Sequence, residues 1–199
     1  MPPRPPIDPQ GTYHVGSRGC YGQPLFRTPE EHELFLLLYA RSARKYGWIT
    51  LEWVLMHNHH HFVIRLTDGG LSKGVQELHG SFSRRIHAIY GLTGQGHLVR
   101  HGFFARHLGT EAEIVGASSY VALNPSKAFG VRPEEAAWSS YPATIGLAHP
   151  RSFHSPSALL ELISPTPAAA RAAYRELVER ELGSNGLDQS PNDRVRPRD

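Results

Sequence analysis

The sequence predicts an α+β fold: a ferredoxin-like βαββαβ unit with an antiparallel sheet, an added helix after it, and further helices toward the C-terminus. Three observations lead there. Strand-like runs at residues 48–56 and 59–66 are separated only by His57 and Asn58, the spacing of a tight hairpin. Segments of helical period, residues 29–47 and 71–91, lie on either side of that hairpin. A strand-like run precedes the first of these helices and another follows the second.

Each element has a local reason. GTYHVGSRG (residues 11–19) alternates weakly around Tyr13 and Val15 and supplies the first strand. In PEEHELFLLLYARSARKYG (29–47), Pro29 suits a first helical turn and Gly47 suits the stop. Glu30, Glu31 and Glu33 suit the positive end of its dipole. WITLEWVLM (48–56) and HHHFVIRL (59–66) form the hairpin, with Asn58 tolerant of turn geometry. After the turn TDGG, residues 71–91 place Val75, Leu78, Phe82, Ile86 and Ile89 on one side of a helix that Gly91 ends. HLVRHGFFARHL (97–108) reads as a further strand, bent near Gly102. The next helix, 110–125, opens with a capping box, Thr110 followed three residues on by Glu113. Pro125 should end or bend it at Asn124. WSSYPATIG (138–146) is expected to wrap back over the core, and residues 156–163 and 167–183 to be helices outside the central unit. The chain thus divides into a proline-rich disordered arm (1–10), a main domain (11–150), a helical extension (151–183) and a disordered polar tail (184–199).

Composition bounds the function. At 199 residues the chain can hold one domain with a proper core, and 40% hydrophobic with 20% charged residues is ordinary for a soluble protein. The net charge of +3 and a pI near 9.2 permit a polyanionic partner without demanding one. A lone cysteine, Cys20, excludes an internal disulfide and a cysteine zinc cluster, and fits a reducing compartment. No apolar stretch approaches the roughly 20 residues of a membrane span, and MPPRPPIDPQ lacks the apolar core of a signal peptide. The expected setting is cytoplasmic, with no membrane partner.

The chemistry concentrates in WVLMHNHHHFVIRL (53–66), which carries four histidines within five positions. Side chains alternate along a strand, so His59 and His61 share one face and His60 takes the other. Two imidazoles on one face suit a divalent metal, although the same pattern also suits a half-exposed strand whose histidines meet solvent or carbonyls. A one-residue slip would put Asn58 and His60 on that face instead. Tyr120 and Asn124, four apart, share a helix face. A tyrosine hydroxyl can act as a nucleophile and an amide oxygen as a third metal ligand. The bland alternatives are a hydrogen-bonded core tyrosine and a helix C-cap.

MHNHHHFVI (56–64) resembles the M-P-N-H-u-H signature of HUH single-strand DNA transposases, and YVALNPSKAFGV (120–131) resembles their downstream Y-[VI]-x-L-N-P-x-[KR]-A-x-x-V segment. WSSY (138–141), GTYHVGSRG and SRGCYGQPLF also resemble segments of that family. Within that family the chain resembles the REP-associated tyrosine transposases, single-tyrosine enzymes related to insertion-sequence transposases. The resemblance spans roughly residues 11–146. It implies a metal, Mg or Mn, held by His59, His61 and Asn124, with Tyr120 as the nucleophile. It further implies cleavage and rejoining of single-stranded or hairpin DNA through a 5′-phosphotyrosine, with a homodimer left open. Two residues depart from the pattern: His57 stands for the usual proline, and His60 for the usual apolar residue between the ligands. His60 should therefore face the packed side of the sheet and need a hydrogen-bond partner. No general base is identified; His57 and water are both compatible.

Candidate phosphate contacts are Arg65, Lys73, Arg84, Arg85, Arg100 and Arg106, against the alternative of a solvated basic surface. Arg65 shares the face parity of His59 and His61. Phe103 and Phe104 suit base stacking or a buried strand, and the tail stretch RVRPR (194–198) could also meet DNA. Two rival readings remain: an inactive hairpin-binding descendant of a transposase, and an unrelated hydrolase that activates water with its histidines. The second lacks an obvious carboxylate partner on the neighbouring strand, the placement of Glu52 being left open.

Overall fold

The computed structural model describes residues 6–92, 97–100 and 102–184. At its centre is a four-stranded antiparallel sheet in the order β2-β3-β1-β4. The strands are β1 (Thr12–Arg18), β2 (Ile49–Met56), β3 (His59–Arg65) and β4 (Phe104–Leu108). α1 (Pro29–Lys45) joins β1 to β2, and α2 (Leu71–Tyr90) joins β3 to β4. This is the expected βαββαβ unit, with β1 and β3 in the middle. α3 (Glu111–Phe129), α4 (Tyr141–Thr144), α5 (Pro156–Leu160) and α6 (Pro167–Ser184) follow.

The sheet is covered on both faces, and strand parity decides which residue goes where. Tyr13, Val15, Trp53, Leu55, Phe62 and Ile64 pack against α1 and α2. Val54, Met56, Val63 and Leu108 lie on the face covered by α3, with α5 also packed on β2 and α6 packed on α3. β2 is an edge strand, and the segment around Ser139 covers it: Leu55 donates its N–H to the Trp138 carbonyl, and Ser140 donates to that of Trp53. WSSY therefore acts as a short edge cover rather than a wrap across the core.

Several expectations need correction. Only Phe104–Leu108 of the run 97–108 forms a strand. Gly102 adopts φ 83°, and Val99 makes an isolated bridge to Gly19 on the far side of that bend. Ile89 is 63% exposed, because the buried stripe of α2 ends at Ile86. The helix does not stop at Asn124: α3 runs through Pro125 to Phe129, and Gly130 caps it with φ 68°. An internal proline costs a helix about 3 kcal/mol. Here Val121, Ala122, Leu123 and Pro125 are all buried, and that packing carries the helix past the proline. Residues 6–10, read as part of the arm, are tied to the β3–α2 turn. Gly69 donates to the Pro9 carbonyl, the Asp8 N–H reaches the Tyr13 hydroxyl, and Ile7 packs on the core. Residues 1–5, 93–96, His101 and the tail 185–199, with its RVRPR stretch, lie outside the described residues. Among the described residues no helix is long and apolar enough to cross a membrane.

Candidate active site

β3 carries its three histidines to two different places. His59 and His61 lie on the α3 face with their rings 5.1 Å apart, and His60 lies on the α1/α2 face. His60 is fully buried against Phe35 and Phe62, and its Nε2 is 3.1 Å from that of His79 on α2. Burial pushes both rings well below the usual imidazole range, His79 to about 4. His57 sits exposed in the hairpin, near enough to His32 on α1 to contribute to the lowering of that residue's pKa.

Across the α3 face, Tyr120 reaches the histidines. Its ring is 5.9 Å from that of His61 and 5.7 Å from that of His14, and it is half-buried. α3 delivers it because Ala117, Val121 and Leu123 anchor the helix on the second core, which aims position 120 at β1 and β3. Asn124, one turn on, donates its side-chain N–H to the Tyr120 carbonyl at 2.8 Å, leaving its amide oxygen for another partner. Gly130, not Asn124, is the C-cap.

Three contributors to this cluster escaped the sequence reading. His14 on β1 places Nε2 3.0 Å from Nδ1 of His61, and burial together with the neighbouring Arg106 lowers its pKa to about 4. Gly16, the register partner of His61, leaves room for that ring: a Cβ there would come within 2.8 Å of His61 Nδ1. Lys127 stands 4.9 Å above the Tyr120 ring and adds a cation beside the phenol. The β1 register links the first two to β3, while the i, i+7 spacing on α3 could have found the third.

Among the described residues no group of three or more His, Cys, Asp or Glu side chains could hold a metal ion, so the candidate donors for a divalent cation are the two imidazoles of His59 and His61 with an amide such as that of Asn124. Nδ1 of His59 is 2.8 Å from the Asn58 side-chain oxygen, and Nδ1 of His61 is engaged by His14, so the Nε2 atoms are the nitrogens a cation would meet. Burial holds His61 well below the usual imidazole range, in the neutral form that ligation requires.

The candidate phosphate contacts separate into groups. Arg106, opposite His14 on β4, lies on the Tyr120 face and is exposed, as is Phe104, 46% exposed and edge-on to His14 at 5.3 Å. Phe103 is half-buried against the other core. Arg100 is exposed beside Cys20, its N–H bonded to the Arg18 carbonyl. Arg65 has the expected parity but stands at the opposite end of β3, where it donates to the Ala158 carbonyl at 3.4 Å. Lys73, Arg84 and Arg85 are on α2, across the sheet from Tyr120. Arg84 and Arg85 line a groove of about 710 Å³ between α1 and α2, with Arg41 and Lys45 on its other bank.

Glu52 is no partner for the histidines. It is fully buried, and Ser140, Thr144 (3.1 Å) and Tyr174 (3.1 Å) all donate hydroxyls to its carboxylate. Burial still raises its pKa to about 7. It fastens WSSY and α6 to β2, so it is not available to the histidines as the carboxylate of a water-activating hydrolase.

A family model described as "Transposase IS200 like" matches residues 9–124, a span that includes His14, His59, His61, Tyr120 and Asn124. Among solved structures, that of the REP-associated tyrosine transposase bound to a REP hairpin matches with a TM-score of 0.63 at 14% identity. The match covers 78% of this chain and 89% of that one, and at that identity the likeness is one of fold. No curated protein matches the chain.

Proposed function

Because the chain belongs to the IS200-like transposase family, we propose that it is a metal-dependent single-stranded DNA endonuclease and transposase that works through a 5′-phosphotyrosine at Tyr120. The observation that carries this reading is the meeting of Tyr120 with His61 and His14 at ring distances of 5.9 and 5.7 Å, across the sheet from the bulk of the apolar core.

His59, His61 and the Asn124 amide oxygen would hold Mg or Mn. Such a cation supplies positive charge to the non-bridging phosphoryl oxygens, which otherwise repel a nucleophile. The remaining work falls to the chain. An ordinary tyrosine is protonated at neutral pH, with a pKa near ~10, so Tyr120 gives up its phenolic proton as it attacks. The Tyr120 oxygen forms a bond to phosphorus, the bond to the 3′ oxygen breaks, and that oxygen leaves as a 3′-hydroxyl after taking a proton. The phosphodiester energy is kept in the phosphotyrosine, so a second 3′-hydroxyl can reverse the step and join strands. Lys127 and Arg106, both at the Tyr120 face, would hold the charged backbone while this happens.

The solved structure of similar fold was bound to a REP hairpin, and this supports hairpin-forming or palindromic repeats as the substrate. The test is incubation with labelled single-stranded DNA carrying such repeats, with Mg or Mn. The wild-type protein should form a covalent protein–DNA adduct, and Tyr120→Phe should form none while still binding. Binding without cleavage by the wild type would make the protein an inactive hairpin binder instead.

A further inference from the structure

The contact between His14 and His61 joins two imidazoles, and a shared hydrogen bond between two such rings has a direction. A neutral imidazole carries one proton, and the nitrogen that meets a cation must offer a lone pair. If His14 donated to Nδ1 of His61, the His61 proton would sit on Nε2 and close that nitrogen to a metal. Only the opposite arrangement is compatible: Nδ1–H of His61 donates to Nε2 of His14 across 3.0 Å, and His14 keeps its own proton on Nδ1.

We propose that His14 is a positioning residue for the metal site, accepting the Nδ1–H of His61 and so presenting Nε2 of His61 to the cation. This rests on the metal-site reading above. Two further features support it. His59 is oriented by the same nitrogen, since its Nδ1 lies 2.8 Å from the Asn58 side-chain oxygen, which acts only as an acceptor. The two rings are thus set alike by different devices, an amide oxygen for one and an imidazole for the other. Gly16 supplies the room. It pairs with His61 in the β1–β3 register, and a Cβ at 16 would press on Nδ1 at 2.8 Å and on Cε1 at 3.1 Å. The His61 ring can therefore lie over the β1 backbone and reach His14, whose own register partner is Val63. His14 is in turn wedged by Phe104 at 5.3 Å and Tyr120 at 5.7 Å, which fixes its ring plane.

Partners that orient metal-binding histidines are typically worth ten- to hundredfold in affinity. The test uses the full chain, with Mn2+ affinity measured by titration without DNA, and the His61 tautomer read from 15N long-range correlations in the metal-free protein. Thermal unfolding of each variant shows that it is folded. His14→Gln places an amide near the position of Nε2 and can still accept; His14→Leu cannot. His14→Leu should weaken Mn2+ binding by roughly tenfold or more and remove the preference for Nδ1–H at His61, while His14→Gln should restore most of both. Unchanged Mn2+ affinity in folded His14→Leu overturns the proposal, and so does a folded His14→Gln as weak as His14→Leu. A wild-type protein with His61 protonated on Nε2 also overturns it, whatever the metal does. Failure of the wild type to bind Mn2+ at all, with His61 still protonated on Nδ1, would instead remove the metal-site reading and leave the hold of His14 on His61 intact.

Discussion

Two imidazole pairs sit back to back on one sheet, each joined by nitrogens about 3 Å apart. His60–His79 lies under α1 and α2 at 3.1 Å, and His61–His14 lies under α3 at 3.0 Å. The first is sealed among Phe35 and Phe62, and His60 Nδ1 has no hydrogen-bond partner among the described residues. The second borders Tyr120, exposed Phe104 and exposed Arg106. Adjacent residues of β3 thus have opposite work because strand parity sends them to opposite layers. Proximity of imidazoles alone does not make a site. What separates the pairs is what borders them: the Tyr120 phenol with exposed Phe104 and Arg106 on one side, and buried aromatic rings on the other.

Chemistry should divide along the same line. His61→Ala should lower covalent adduct formation by roughly a hundredfold or more, through loss of a ligand and of transition-state stabilisation. His60→Phe, measured on gels at a temperature where it stays folded, should form adduct within a few-fold of wild type. Comparable losses in both variants would mean that the α1/α2 face takes part in the reaction, and the comparison would break.

Stability should divide the other way. His60→Phe leaves the buried His79 nitrogen without its partner, a cost of about 1–3 kcal/mol in urea unfolding. His60→Phe with His79→Phe removes both polar groups and should recover part of that loss, a coupling that a double-mutant cycle reads directly. The pair also makes the protein acid-labile. The His79 pKa is about 4 when folded against an ordinary 6.5, so between those values the unfolded chain binds the extra proton. Its contribution is complete above pH 6.5 and is lost as pH falls toward 4. The double phenylalanine variant should lose less stability between pH 7 and 5 than wild type does, and an equal loss would place the acid sensitivity in other groups such as His154.

Much of this architecture could be read from residue order. The hairpin around His57 and Asn58, the three main helices and the parity that splits His60 from its neighbours are consequences of local period and turn chemistry, which act over a few residues. What escaped depends on pairing across the sheet. His14 and Gly16 precede His61 by more than forty positions, and only the β1–β3 register joins them. Glu52 was ambiguous for the same reason, since its three hydroxyl partners come from segments 88 to 122 residues away. Pro125 misled because a helix-breaking preference of about 3 kcal/mol yields to burial of the turn around it. The basic residues were the least legible, because a charge on a helix does not say which layer that helix joins.

That last point gives the smallest and sharpest test. Arg106 stands on the Tyr120 face, whereas Arg84 and Arg85 line the groove between α1 and α2. If the reacting single strand runs only along the α3 face, Arg106→Gln should weaken binding of a short unstructured oligonucleotide by about three- to tenfold at low salt and reduce the salt slope by about one. Arg84→Gln with Arg85→Gln should leave that oligonucleotide unaffected, because no phosphate on the α3 face comes near α2. A hairpin long enough to pass the sheet edge could touch both layers, and only then should the α2 substitutions register. Anisotropy titrations with the two DNAs distinguish the cases. Equal weakening of the unstructured strand by both sets of substitutions would show that the two faces act together on DNA, so the division that holds for the imidazoles would not extend to the phosphates.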